Sequence, residues 1–278
     1  MKRGVATLTV ADSDLFESFQ AAERAGYDIV DIWVDQLKEY LQNDRPIQEL
    51  SERFTDMSVQ PGVINPILDI EIPNGPKRDE LLAHTRRICE VASAGGVGGL
   101  QLVSGMTYAG QPWSTICRET ARGLRELADL AAEYSLKVGF EPIAWWPVKR
   151  AGQALEIIAT ADRPNVGVVL DSFHVFAAQD DLQFIRTIDP TVISSVHLGD
   201  CVQKTGSEWS DQQRSMPGDG VAPITEIMEA ILSTGYDGVI ADEIWPVPYA
   251  GKKCDALYRE LKDRSDKILA SIRTDSSD

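Results

Sequence analysis

The sequence lacks most of the devices on which small or specialised proteins depend. Its four cysteines, Cys89, Cys117, Cys201 and Cys254, are scattered without a C-x-x-C pair, which argues against a structural zinc knuckle or a disulfide framework and suits a reducing compartment. Cys201 reads as a small semi-apolar filler. No run approaches the roughly 20 apolar residues of a membrane span, and Met1 to Val5 leads straight into a strand-like pattern without the apolar stretch of a signal peptide. A cytoplasmic protein with no membrane partner is expected. No G-x-G-x-x-G follows the first strand and no G-x-x-x-x-G-K-[ST] occurs, so nucleotide-binding loops are unsupported. Gly95 to Gly99 reads as a helix stop. Positive charge is scarce: 27 Lys and Arg stand against 43 Asp and Glu, for a net charge of −16. Binding to phosphate backbones is driven by cation release and usually needs a basic stripe, so nucleic acid is not an expected partner.

What remains is an ordinary globular composition, 43% apolar and 25% charged over 278 residues, enough to bury a large core. Apolar, β-branched runs alternate with amphipathic stretches, the signal for parallel βα units. Strands are expected at 5–10, 28–34, 59–69, 98–103, 136–143, 165–170, 192–198 and 238–244. Helices are expected at 14–25, 46–57, 78–94, 114–134, 152–160, 182–188, 224–232 and 252–272. Eight units without a composition break predict one α/β domain over 1–278, a single (β/α)₈ TIM barrel, with 274–278 as a frayed tail. An open doubly wound sheet is the alternative.

In a (β/α)₈ barrel the chemistry sits at the C-terminal ends of the strands. Four consecutive predicted strands end in groups able to bind metal: Glu141 in Phe-Glu-Pro, Asp171 in Leu-Asp-Ser-Phe-His, His197 in Val-His-Leu-Gly-Asp, and Glu243 in Asp-Glu-Ile-Trp. Most Asp and Glu are solvated loop residues, but these follow apolar runs, where an unpaired charge costs several kcal/mol. A dication would compensate all four. Three carboxylates and one imidazole favour Mn²⁺, Mg²⁺ or Co²⁺, with Zn²⁺ admitted by the histidine.

The stretch Asn165-Val166-Gly167-Val168-Val169-Leu170-Asp171-Ser172-Phe173-His174 resembles the xylose-isomerase-like sugar isomerase/epimerase superfamily. So do Glu141, the His197 and Glu243 strand ends, and Arg214-Ser215-Met216-Pro217-Gly218-Asp219-Gly220. Within that superfamily the sequence is most similar to inosose (2-keto-myo-inositol) isomerases. The resemblance implies one divalent metal held by Glu141, Asp171, His197 and Glu243, with His174 and Arg214 facing the substrate, a keto sugar or keto cyclitol. It also suggests a homo-oligomer. Moving a carbonyl along a polyol requires removal of a proton beside it, and a cation stabilises the enediolate that forms. Glu141 and Glu243 are the candidate proton-transfer pair.

The first half matches less well. The inosose isomerases tend to place polar residues, an arginine among them, at the ends of the first two strands, where this chain has Ala6-Thr7 and Trp33. Asn65 keeps a polar group near the end of the third. Trp145, Trp146, Trp245 and Trp33 offer rings for sugar C–H faces, with Trp33 and Trp245 the expected substrate contacts. Trp33 suits a substrate carrying an aromatic or glycosidic group. The polar stretch 200–220 suggests a cover or a subunit contact. A lyase on the same metal scaffold, a dehydratase or one cleaving a 3-keto glycoside or C-glycoside, is the main rival to an isomerase. An abasic-site endonuclease shares the barrel, but three histidines and an acidic chain do not fit its histidine-rich cluster. A non-catalytic sugar-binding subunit is a further alternative.

Overall fold

The computed structural model describes residues 1–42, 47–203, 209–245 and 253–275. Eight parallel strands close into a barrel: β1 (Lys2–Ala6), β2 (Ile29–Trp33), β3 (Gln60–Ile67), β4 (Gly99–Val103), β5 (Lys137–Glu141), β6 (Val166–Asp171), β7 (Ile193–Leu198) and β10 (Val239–Asp242). The circuit closes where β1 pairs with β10 in the register Lys2↔Val239 to Val5↔Asp242. A short antiparallel pair, β8 (Asp200–Cys201) and β9 (Arg214–Ser215), stands apart from it. The open doubly wound sheet is thereby excluded.

The barrel is wrapped by α1 (Leu15–Ala25), α2 (Val34–Gln42), α3 (Ile47–Thr55), α4 (Pro76–Ala94), α5 (Trp113–Ala132), α6 (Ala151–Ala161), α7 (Ser172–Ala177), α8 (Leu182–Ile185), α9 (Ile224–Leu232) and α10 (Cys254–Asp275). Local chemistry sets their ends. The Asp14 carboxylate accepts from the Phe16 and Glu17 amides at the start of α1, and Gly26 closes it at φ 81°. Pro76 opens α4, where its missing N–H loses nothing. In α5 the small and aliphatic residues Ala121, Leu124, Leu127, Ala128 and Ala131 form the stripe buried against the strands. No described helix is long and apolar enough to cross a membrane.

Three expectations need correction. The first strand starts and ends earlier than predicted, and Thr7–Val10 forms a 3₁₀ turn. Its hydroxyls take the bonds a ladder would have made: Thr7 Oγ1 accepts from the Trp33 amide and Thr9 Oγ1 from the Ile244 amide. Two helices were not anticipated, α2 and α7, both starting directly at a strand end with no intervening loop. The predicted tail begins too early, because Thr274 and Asp275 still belong to α10, while 276–278 lie outside the described residues.

Closure is reinforced by a buried ionic cluster. Asp242, fully buried on β10, accepts from Arg3 Nη2 at 2.9 Å, from the Tyr27 hydroxyl at 2.6 Å and from Ser265 Oγ of α10 at 2.8 Å. Burial pushes the Asp242 carboxyl pKa up, only partly offset by Arg3 and these hydrogen bonds.

Candidate metal centre

Strand alternation and a cap explain how the four predicted donors meet. Asp171 ends β6 and is also the N-cap of α7. Its Oδ1 accepts from the amides of Phe173 at 2.7 Å and His174 at 3.4 Å, which leaves Oδ2 free of the helix. The register Asp171↔His197 between β6 and β7 sets the carboxylate beside the imidazole, and Glu243 directly follows β10, the next strand round. Ser172 Oγ donates to the Gly199 carbonyl at 2.6 Å and accepts its amide at 3.0 Å, locking the ends of β6 and β7 together.

One ligand atom from each of Glu141, Asp171, His197 and Glu243 lies within 4.8 Å of the others. These residues are 4%, 2%, 0% and 4% exposed. His197 Nδ1 is 3.3 Å from Glu243 Oε2 and 3.6 Å from Glu141 Oε1. Glu141 Oε1, Asp171 Oδ2 and both nitrogens of His197 have no hydrogen-bond partner. Converging buried donors of this kind are expensive unless a cation satisfies them, so the residues fit a divalent metal.

The electrostatics are those of a compressed anionic site. Burial alone would keep the His197 imidazole neutral, but the Glu243 and Glu141 carboxylates outweigh it and hold its pKa well above the ordinary histidine value. Burial would likewise keep Glu243 protonated, yet His197 and Arg214 drive its pKa far below the usual range. Arg214, 3% exposed, lies with Nη2 2.7 Å from Asp171 Oδ2 and 3.3 Å from Glu243 Oε2, and 3.2 Å from His174 Nε2. The Asp171 contact is an ion pair without hydrogen-bond alignment.

His174 and Arg214 border the quartet. Asn65 does too, with Nδ2 3.4 Å from Glu243 Oε1. Trp33 is half-buried two residues beyond Asp31 on the same face of β2, and Trp245 is half-buried two residues beyond Glu243. Two other rings border His174 and Arg214: Trp145 meets His174 edge-on at 5.0 Å, while Phe173 lies 4.7 Å under the Arg214 guanidinium and 5.9 Å from Trp209.

Sequence reasoning passed over three groups. Gln101 Nε2 donates to Glu141 Oε2 at 2.6 Å. Asp31, buried on β2, approaches His197 from the far side of the ring; burial lifts its pKa to about 6, with His197 pulling the other way. An acid inside the apolar run Ile29-Val30-Asp31-Ile32 was a legible signal. Asp200 organises the 200–220 stretch: its carboxylate accepts from the amides of Cys201, Gly218, Gly220 and Ala222. A Cβ on Gly220 would stand 2.1 Å from Asp200 Oδ1, so a glycine is needed there. This knot presents Arg214 on β9, while 204–208 lie outside the described residues. Cys201 is buried, and burial pushes its thiol up to about 12, consistent with an inert filler.

Residues 19–264 match the family described as xylose isomerase-like TIM barrel. Among curated proteins, an inosose isomerase of Halalkalibacterium halodurans is 26% identical over 265 residues, covering 94% of each chain. A 3-dehydroshikimate dehydratase of Pseudomonas putida is 27% identical over 88% of this chain but only 38% of its own. Among solved structures, the IOLI protein with a bound zinc atom superposes with a TM-score of 0.92 at 25% identity, over 98% of this chain and 99% of that one. The protein belongs to the xylose isomerase-like TIM barrel family.

Proposed function

We propose that the protein is a divalent-metal-dependent isomerase or epimerase of a small keto sugar or keto cyclitol, with Glu141, Asp171, His197 and Glu243 as metal ligands. The observation that carries this reading is that one ligand atom from each of four buried residues lies within 4.8 Å of the others, with Glu141 Oε1 and His197 Nδ1 lacking any hydrogen-bond partner. When bound, a divalent ion supplies Lewis-acid stabilisation of negative charge developing on a substrate carbonyl oxygen. Mn²⁺, Mg²⁺, Co²⁺ and Zn²⁺ all suit the donor set, and the zinc in the IOLI protein supports the last.

The chain's own groups supply the proton chemistry. Glu141 and Glu243 come from strands on either side of the β6–β7 pair, so two carboxylates can flank one substrate. One takes the proton from the carbon beside the carbonyl, and the electron pair moves onto the carbonyl oxygen to give an enediolate. A proton returned to the neighbouring carbon, with the hydroxyl proton shifted to the former carbonyl oxygen, moves the carbonyl; one returned to the opposite face of the same carbon inverts that centre. Gln101 donates to Oε2 of Glu141, the oxygen turned away from His197, and Asn65 stands beside Glu243. His174 and Arg214 donate to substrate oxygens and favour the enediolate. The partnerless atoms Asn65 Oδ1, Gln101 Oε1 and Arg214 Nη1 leave hydrogen-bonding capacity for the hydroxyls of a polyol. Trp33 and Trp245 would cover its C–H faces.

The dehydratase relative supports a second reading, in which the same α-proton removal is followed by loss of a β-substituent as water or an aglycone. Elemental analysis of the purified protein, followed by NMR of keto polyols in D₂O, tests both. An isomerase returns a deuterated skeletal isomer, a lyase releases a β-substituent, and a metallated protein that exchanges no α-proton overturns the proposal.

A further inference from the structure

The far side of the His197 ring carries a second buried contact that the chemistry above does not use. Nδ1 faces Glu141 and Glu243, whereas Nε2 points away from them toward Asp31 Oδ2, 4.0 Å distant. Both atoms are buried and neither has another hydrogen-bond partner. Asp31 is on β2 and His197 on β7, with two strands, β1 and β10, between them in the circuit, so the contact crosses the barrel interior. The separation exceeds a hydrogen bond by about 1 Å. Small side-chain rotations would close that gap, and two buried polar atoms left face to face without partners are costly.

The Asp31 carboxylate is itself held. Its Oδ1 accepts from the Val63 amide at 2.9 Å. A Cβ on Gly62 would lie 2.1 Å from that oxygen and 2.6 Å from Ile29 Cγ2. Only a glycine at 62 lets the carboxylate sit where it does. One oxygen is thus tied to β3, and the other is left for the imidazole.

We infer that Asp31 is a positioning residue that fixes the proton of His197 on Nε2 and so presents the Nδ1 lone pair to the carboxylate cluster. A ligating imidazole needs its other nitrogen to donate to an acceptor, which sets both tautomer and ring orientation; loss of such a partner weakens metal binding about 10–100-fold. The inference rests on the proposed metal quartet, and the substitutions below separate the two.

Asp31→Asn gives the sharpest contrast. Its carbonyl would stay on the Val63 amide and its NH₂ would turn to Nε2, which favours the tautomer with the proton on Nδ1, the wrong one for ligation. Asp31→Ala removes the same charge without imposing a tautomer. Mn²⁺ and Co²⁺ affinities are measured by competition with a chromophoric chelator, with folding checked by circular dichroism. Wild type is expected to bind one ion per chain, Asp31→Ala about 10-fold more weakly, and Asp31→Asn more weakly again. In Co²⁺-loaded wild type the shifted imidazole N–H proton should exchange slowly with solvent, a signature that a merely structural Asp31 would not produce. Gly62→Ala, which leaves the carboxylate in the chain but displaces it, should lose the same signal.

Wild-type affinity in both Asp31 variants, equal weakening of both, or fast N–H exchange in the Co²⁺-loaded wild type would overturn the inference. If instead wild type binds no ion, or His197→Ala binds as tightly as wild type, it is the quartet itself that fails.

Discussion

Loading of the site should be a proton-exchange reaction, because the strongest competitor for a metal at His197 is a proton. The Glu243 and Glu141 carboxylates hold the imidazole pKa well above its ordinary value, despite complete burial. In chelator-stripped protein His197 should therefore hold its second proton more tightly than a free imidazole does, whereas a ligand must be neutral. Carboxylate ligands in general compete with protons only in acid. Binding near neutrality should then release about one proton per ion, and the apparent affinity should rise about tenfold, or about 1.4 kcal/mol, per pH unit up to the His197 pKa. Stability should move the opposite way in the stripped protein. A raised folded-state histidine pKa gives stabilisation that is complete below the unfolded value near 6.5 and lost as pH climbs through the folded value. The loaded protein should lack that decline. Titration calorimetry with Mn²⁺ in buffers of different ionisation enthalpy, at pH 6.5 and 7.5, counts the protons directly. No proton release, with affinity flat from pH 6 to 8, would refute the reasoning and move the metal away from His197.

Glu141→Gln and Glu243→Gln should each lower α-proton exchange by about 10²–10⁴, the usual contribution of a general acid or base, as read by NMR in D₂O on folded protein. Asp200→Ala strands four backbone amides and should reduce stability by about 2–4 kcal/mol; urea denaturation checks this, and turnover should drop as Arg214 loses its platform. Arg3→Met leaves the fully buried Asp242 without its counter-charge and should destabilise by about 3–5 kcal/mol with metal content unchanged. Trp33→Arg should shift substrate preference toward simple keto cyclitols, and an unchanged substrate profile would remove Trp33 from the binding surface.

Much of the fold was legible because alternation of buried strands and amphipathic helices is written locally. The α9 boundaries follow from the spacing of Ile224, Ile227, Met228 and Ile231 alone. The quartet was legible for a related reason: each donor sits at the end of an apolar run, and in a closed barrel such ends share one rim. Where local signals were absent the reading slipped. Thr7–Val10 alternates like a strand, but its hydroxyls bond to amides on β2 and beyond β10, partners no local pattern reveals. The helices α2 and α7 have no loop before them to mark their starts.

By itself the sequence determined the eight-fold rhythm, the acidic character and the donors offered at four consecutive strand ends, since each depends on residues within a few positions of one another. Only the tertiary structure decided what those donors face. Asp31 meets His197 across 166 positions of chain, Gln101 grips Glu141 from the neighbouring strand, and Arg214 is lowered onto Asp171 and Glu243 by a knot around Asp200. Contacts of that kind are fixed by barrel closure and strand register, which depend on the whole chain at once.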